Sequence, residues 1–190
     1  MRVIAGTHKG QIFDAPTGRD TRPTTDRVRE AIFSSVTSLY GDLNKARVAD
    51  LFAGSGAFGI EALSRGACWC TFFEFDKKTA HLVKQNINKL SFADNATVAV
   101  TDTMKFPNKV AAHGPYDLLF VDPPYKISSA CVIDMLDELR CAHALAPGAI
   151  IVYEHAAQEP LSEYDKRFIV HREKKYGTTV VSYLSPKEHN

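Results

Sequence analysis

The chain has 190 residues, of which 45% are hydrophobic and 24% are charged, and its formal net charge is +1. This composition is typical of an ordinary globular protein with one domain. A charge so close to neutral provides no general attraction for nucleic acid, so such a partner would have to meet a local basic patch. No apolar run has the length of a membrane span, and the N-terminus lacks the hydrophobic core of a signal peptide.

The four cysteines and seven histidines follow no spacing typical of a metal site or of a disulfide framework. The G-x-S-x-G motif of serine hydrolases is also absent. We therefore expect a reduced, cytoplasmic protein that binds no metal and does not enter a membrane.

The first forty residues differ in character from the rest. "RVIAG" and "QIFDAP" are strand-like runs separated by "THKG", where Gly10 suits a positive φ, so a β-hairpin is predicted. After a polar loop, "DRVREAIFSSVTSLYG" has apolar residues at helical spacing, with Thr25 or Asp26 as N-cap and Gly41 as the stop. Residues 1–40 are thus predicted to form a hairpin-and-helix extension.

From residue 47 onward, strand-like and helix-like segments alternate. The predicted strands are "RVADLF", "CWCTFFEF", "ATVAVT", "YDLLFV" and "AIIVYEH", and a short polar helix is predicted near "DTMKF". Near-continuous apolar strands between helices favour a parallel sheet covered on both faces. "FIVHREKKYGTTVVSYL" predicts a terminal antiparallel hairpin. We expect one α/β domain over residues 1–190, with the core at 47–184.

A glycine-rich loop follows the first strand of this core. "DLFAGSGAFGIEAL" has Gly54, Gly56 and Gly59 in G-x-G-x-x-G spacing, where a ligand can touch the backbone at a helix N-terminus. Eighteen residues after Gly56, Glu74 ends the second strand and could accept hydrogen bonds from ribose hydroxyls. The motif alone is weak, but with a strand before it, a helix after it and an acid beyond it, a nucleotide site is predicted.

Acidic residues at the strand ends distinguish two ligand classes. Asp50 precedes the loop and would repel the pyrophosphate of a dinucleotide, whereas it suits the ammonium or sulfonium of S-adenosylmethionine. Asp102, in "VTD" at the end of the third strand, is placed for an adenine amino group, although it also suits a helix cap. Together with Glu74, these acids favour S-adenosylmethionine over NAD.

The motif "DPPY" at residues 122–125 follows the fourth strand and reaches the same rim. The exocyclic amine of a nucleobase is a poor nucleophile because its lone pair is delocalised into the ring. Asp122 and the backbone carbonyl of Pro123 can accept its two N–H groups and so favour pyramidal nitrogen. Tyr125 offers a flat face to the base, which is worth about 1–3 kcal/mol when a single base stacks on it. The motif therefore predicts methyl transfer to an exocyclic amine.

The segments "DLFAGSGAFGIEALSRGA", "FFEFD" and "DPPY" resemble class I methyltransferases that act on exocyclic amino groups. "RVIAGTHKGQIFDAP" followed by "RPTTDRVREAIF" resembles the RsmD family more specifically, the bacterial methyltransferases of a guanine N2 in 16S ribosomal RNA. This resemblance runs in order from residue 2 to about residue 184. It implies a Rossmann-like, mostly parallel sheet of seven strands, and 16S rRNA in the small ribosomal subunit or an assembly intermediate as substrate.

The resemblance also implies site residues, and we expect the enzyme to be a monomer. The residues expected to bind S-adenosylmethionine are Asp50, Ala53, Gly54, Ser55, Gly56, Glu74, Phe75, Asp102 and Thr103. Those expected to hold the target base are Asp122, Pro123, Pro124 and Tyr125. Four cations of the extension, Arg2, Lys9, Arg22 and Arg27, are candidates for RNA contacts. Arg22 and Arg27 have a second candidate role in shaping the cofactor pocket.

Other functions remain open at this level. An adenine N6 in DNA is an alternative acceptor, because "DPPY" serves both amines, although no large target-recognition insertion is present. A nicotinamide-dependent oxidoreductase would use the same glycine loop. A catalytically silent nucleic-acid-binding module would share the fold, because fold alone does not decide function.

Overall fold

The computed structural model describes residues 1–16, 25–158 and 166–187 of the chain. In these ranges the helices are α1 (Asp26–Tyr40), α2 (Ala57–Ser64), α3 (Lys77–Lys89), α4 (Pro107–Ala111) and α5 (Ser129–Cys141), and a 3₁₀ turn covers Ala93–Asn95. The strands are β1 (Arg47–Asp50), β2 (Trp69–Glu74), β3 (Ala96–Val100), β4 (Tyr116–Val121), β5 (Leu145–Ala156), β6 (Phe168–Tyr176) and β7 (Thr179–Pro186).

The strands form one seven-stranded sheet in the order β3-β2-β1-β4-β5-β7-β6. The first five are parallel, while β7 pairs antiparallel with both β5 and β6. This confirms the predicted fold, a mostly parallel Rossmann-like sheet with a C-terminal antiparallel hairpin. The chain order reverses between β1 and β4, and ligands of doubly wound sheets bind at that point, beyond the carboxyl ends of the strands.

Two apolar layers cover the sheet. Because successive side chains of a strand point to opposite faces, Phe72 packs with α1, α2 and α3, whereas its neighbour Phe73 packs with α4 and α5. On β4, likewise, Phe120 lies on the same face as Phe72, and Leu119 lies on the same face as Phe73. Both faces of the central strands are thereby buried, so the strand ends are where polar side chains can meet a ligand.

The N-terminal segment pairs as a narrow hairpin and packs on the core. Arg2 and Ile12 form an antiparallel bridge, and Gly10 closes the turn with a φ of +84°. Helix α1 then begins after Thr25, whose side chain accepts the amide of Val28, and it ends at Gly41 with a φ of +95°. The predicted caps of this helix are therefore present.

One predicted element is displaced. The short helix expected near "DTMKF" is instead a turn, in which the Asp102 carboxylate accepts the amide of Met104 at 3.1 Å. Helix α4 begins at Pro107, five residues after Asp102, because proline is favoured in the first helical turn. Among the described residues, none of the helices is long and apolar enough to cross a membrane.

Candidate active site

Acidic side chains end neighbouring strands along one edge of the sheet. Asp50 ends β1, Glu74 ends β2, and Asp122 directly follows β4. Asp102 lies two residues beyond β3, and Glu154 lies near the end of β5. Since these strands are parallel, their carboxyl ends lie at the same edge, and the structure thus brings the predicted acids together.

The glycine loop between β1 and α2 has the backbone that its sequence predicts. Gly54 and Gly56 have φ values of +55° and +82°, a region that other residues rarely adopt. The amide of Gly56 donates to the carbonyl of Ala53 at 2.7 Å. The Ser55 hydroxyl donates to the sulfur of Met1 at 3.1 Å, so the N-terminal segment packs on this loop.

Asp50 is a buried carboxylate that holds the start of α2. It is 3% exposed, and its Oδ2 accepts the amide of Gly59 at 3.0 Å. The pKa of Asp50 is raised to about 7, chiefly by burial and also by the nearby carboxylates of Asp122 and Glu74, while the hydrogen bond from the Gly59 amide acts in the opposite direction. A positive charge brought to this edge would offset that cost.

Glu74 also holds the loop. It is 5% exposed, with one oxygen accepting the amide of Gly54 at 3.0 Å and the other accepting the amide of Asp76 at 2.9 Å. A carboxylate that accepts two amides is fixed in position, and each oxygen keeps a lone pair for a further donor. Glu74 is thus fixed beside the loop with acceptor capacity left for the hydroxyl of a ligand.

The edge beyond β2 and β3 presents flat apolar surface and buried hydroxyls. Phe75 and Phe106 are 57% and 44% exposed. The hydroxyl oxygens of Thr101 and Thr103 are buried and have no hydrogen-bond partner within the described ranges. The side chain of Asp102 is 35% exposed and lies 3.7 Å from the ammonium of Lys105. Exposed aromatic rings and unpartnered polar atoms along this edge are the kinds of group that an adenine ring requires.

The "DPPY" segment presents its first and last side chains to solvent. Asp122 is exposed, but protein atoms crowd its inner side, and this desolvation raises its pKa to about 6. Tyr125 is 67% exposed, and its hydroxyl lies 3.1 Å from that of Thr179 at the start of β7.

The two prolines set the backbone between these side chains. The carbonyl of Pro124 accepts the amide of Ile127 at 2.9 Å. Pro123 is buried and lines the cleft, and its carbonyl is the predicted second acceptor for an amine.

The cleft beside "DPPY" also contains residues that sequence reasoning missed. Its walls include Glu154, His155 and Ser129, together with both prolines. The pKa of Glu154 is raised to about 8, chiefly by burial and also by the neighbouring charge of Asp122. A carboxylate at the end of the apolar run "AIIVYE" is the signal that indicates Glu154, the same signal that singles out Asp122.

The candidate RNA-binding cations lie in several settings. Arg2 is largely exposed but pairs with Asp26 at 2.6 Å. Lys9, in the hairpin turn, and Arg27, in the first turn of α1, are exposed. Arg22 lies outside the described residues, so its two candidate roles stay predictions. Across the described ranges, no cluster of three or more histidine, cysteine or acidic side chains could hold a metal ion.

The doubly wound sheet, the glycine loop and the row of acids at the strand ends define a class I methyltransferase that uses S-adenosylmethionine. The family model described as "Conserved hypothetical protein 95" matches residues 1–185. The chain belongs to this family, the RsmD family.

The comparisons with individual proteins agree with this assignment. The chain is 36% identical to "Putative rRNA methyltransferase YlbH" of Bacillus subtilis, over 96% of this chain and 97% of that one. It is 35% identical to "Ribosomal RNA small subunit methyltransferase D" of Escherichia coli, over 93% of this chain and 85% of that one. Among solved structures, "Putative methyltransferase yhhF" from Escherichia coli superposes with a TM-score of 0.82 at 30% identity, covering 98% of both chains.

Proposed function

We propose that this protein transfers the methyl group of S-adenosylmethionine to the exocyclic N2 of a guanine in 16S ribosomal RNA. The observation that carries this proposal is the "DPPY" segment at the end of β4, beside the glycine loop at the end of β1. Relatives that match most of the chain are named as methyltransferases of small-subunit ribosomal RNA. The adenine-N6 and nicotinamide alternatives have no comparable observation in their favour.

The residues present at the strand ends fit S-adenosylmethionine. Gly54 leaves space for a ligand, because a Cβ built there would meet no atom closer than 3.9 Å. Glu74 is assigned to the ribose, while Phe75, Asp102 and Thr103 are assigned to the adenine. The other residues assigned to the pocket are Asp50, Ala53, Ser55 and Gly56. When bound, the cofactor supplies an electrophilic methyl carbon on a positively charged sulfur.

Residues of "DPPY" position the acceptor amine. Asp122 accepts one N–H of N2 and the Pro123 carbonyl accepts the other, so the nitrogen lone pair is aimed away from both acceptors. Tyr125, fixed by its contact with Thr179, stacks on the base. As N2 gains its methyl group it becomes more acidic, and Asp122 is placed to take the proton before releasing it to water. Positioning of this kind provides much of the rate of a group transfer.

The organisation of the chain and its partners are part of the same proposal. Residues 1–190 belong to one methyltransferase domain, composed of the 1–40 extension and the 47–184 core; the described residues Val3, Phe13 and Ile32 of the extension pack in the core. The substrate is the small subunit or an assembly intermediate, and the enzyme acts as a monomer in the cytoplasm. Arg2, Lys9 and Arg27 provide phosphate contacts that position the RNA without reading its sequence.

The test is transfer of tritium from labelled S-adenosylmethionine to small ribosomal subunits from cells lacking the enzyme. We expect label in N2-methylguanosine, and a loss of about 100-fold or more in Asp122→Ala, because a positioned acceptor contributes that much. Asp94→Ala is the matched control, since Asp94 is exposed and precedes β3 at the opposite edge of the sheet. Label in DNA adenine and none in the subunits would contradict the proposal.

A further inference from the structure

Glu154 is a carboxylate at the active site that the mechanism above does not use. Strands β4 and β5 pair with Val121 opposite Tyr153, so the next residues, Asp122 and Glu154, lie side by side at the strand ends. The electrostatic influence of Asp122 on the pKa of Glu154 agrees with this placement. The sheet therefore ends in two adjacent carboxyl groups, one from "DPPY" and one from β5.

One oxygen of Glu154 has no partner. Its Oε2 is shielded from solvent and makes no hydrogen bond within the part of the chain that the structure describes. A buried acceptor without a donor destabilises a fold, so packing gives no reason for a carboxylate here. The residue also lines the same cleft as Pro123, Pro124 and Tyr125. A donor supplied by a ligand in that cleft would account for it.

The nucleobases differ in what lies beside the amine that could be methylated. In guanine one of the two ring nitrogens beside the N2 amine is N1–H, a hydrogen-bond donor. In adenine and cytosine the ring nitrogen beside the exocyclic amine carries a lone pair and is an acceptor. Two adjacent carboxylates complement the two donors of guanine, whereas the second carboxylate would face a lone pair in either of the other bases.

We propose that Glu154 is a specificity-determining residue that accepts the N1–H of the target guanine while Asp122 accepts an N–H of its N2 amine. This inference rests on the proposed function and assigns the choice of base to one residue. An N–H donor and a cationic sulfonium both favour the ionised form of a carboxyl, so binding of the guanine and the cofactor should lower the raised pKa of Glu154 and leave it able to accept. With the cofactor bound, the ionised Glu154 favours guanine over bases that have a lone pair beside the amine.

The experiment compares guanine with 2,6-diaminopurine at the methylated position of reconstituted small subunits, after that position has been mapped with the wild type. Diaminopurine keeps the N2 amine but has a lone pair at N1. We expect the wild type to prefer guanine by roughly 100-fold in kcat/KM, because a lone pair would leave the buried acceptor unpaired. Glu154→Gln should reduce this preference to near unity, since a carboxamide offers either a donor or an acceptor.

A second variant separates recognition from folding. Glu154→Leu should lower kcat/KM for guanine about 100-fold, while its melting temperature stays equal or rises and its affinity for S-adenosylhomocysteine is unchanged. Glu138→Leu, at an exposed carboxylate in the last turns of α5, is the control and should match the wild type in all three measurements.

An unchanged preference for guanine in Glu154→Gln, or full activity in Glu154→Leu, would overturn the inference while leaving the proposed function in place. A wild type that forms no N2-methylguanosine would overturn the proposed function, and this inference with it.

Discussion

Gly59, the last glycine of the loop motif, lies in the first turn of α2. A Cβ there would come 2.2 Å from Cε1 of Phe72 and 2.6 Å from Sγ of Cys70, both on β2. Its φ is not positive, in contrast with Gly54 and Gly56. At the scale of single residues, the glycines of the motif are thus needed for two reasons. The first two adopt the positive φ values of the turn, and the third has no side chain and so lets the helix approach the sheet.

Gly59→Ala should therefore destabilise the protein by about 3 kcal/mol, because the added methyl group overpacks the contact between α2 and β2. The measurement is urea denaturation, in the wild type and in a Phe72→Leu background that frees space at this contact. We expect the cost of Gly59→Ala to be smaller in that background. Equal costs in both would show that packing against Phe72 is not the reason for the glycine. Gly148→Ala is the control, because a Cβ there meets no atom and its cost comes from the φ of +75°, so it should show no coupling to Phe72.

At the scale of elements, residues close together in the sequence were sufficient to predict where most helices and strands begin and end. Thr25 and Gly41 delimit α1 because capping depends on residues close in sequence. The same local signals place Asp122 at the end of β4. Glu154 ends an apolar run as Asp122 does, but its position beside Asp122 depends on the pairing of β4 with β5, and the contact of Thr179 with Tyr125 depends on the pairing of β5 with β7. These long-range pairings were not predicted, so both residues were missed.

The attachment of the N-terminal segment was missed for the same reason. Glu61, in α2, is 1% exposed, and its two oxygens accept the amides of Ile4 and Ala5 at 2.8 and 3.0 Å. It also pairs with Arg65 at 2.8 Å and lies 3.9 Å from the guanidinium of Arg29, which is fully buried. One side chain thus joins the segment, α1 and α2.

Glu61→Gln should cost about 3 kcal/mol of stability, because it removes one of the two carboxylates beside the buried guanidinium of Arg29, leaving Asp26 at 3.2 Å, and replaces one acceptor oxygen by a donor. Hydrogen exchange at the amides of Ile4 and Ala5 should accelerate more than exchange in β1. Glu30→Gln removes an exposed partner of Arg65 and should cost at most about 1 kcal/mol. Protection of the N-terminal amides equal to that of the wild type would show that Glu61 does not hold the segment.

At the scale of the whole molecule, the fold concentrates negative charge at one edge of the sheet although the net charge is +1. Asp50, Asp122 and Glu154 end strands that the parallel topology aligns, and the pKa of each is raised, to about 7, 6 and 8. A cationic ligand offsets the repulsion between these groups. The arrangement therefore exchanges some stability of the free protein for affinity toward a positively charged cofactor.

Because the same carboxyl groups destabilise the free protein and attract a cationic cofactor when they ionise, a rise in pH should weaken folding and strengthen cofactor binding. Because the folded-state pKa of Asp50 lies above that of an unfolded aspartate, its contribution to stability is present below about pH 4 and is lost as the pH rises through about 7. The free energy of unfolding of the free protein should thus fall between pH 5 and pH 8. Over the same range the ionised edge should attract the sulfonium of S-adenosylmethionine more strongly than the neutral sulfur of S-adenosylhomocysteine.

Calorimetric titration with both ligands should show their affinity ratio rising roughly tenfold in favour of S-adenosylmethionine from pH 6 to pH 8, the effect of about one pKa unit of coupling. Asp50→Asn keeps an oxygen that can accept the amide of Gly59 but removes the titration, so it should flatten much of this dependence. A ratio that stays constant with pH in the wild type would mean that the acidic edge does not recognise the charge of the cofactor. The acids would then serve only to hold the loop and the substrate base.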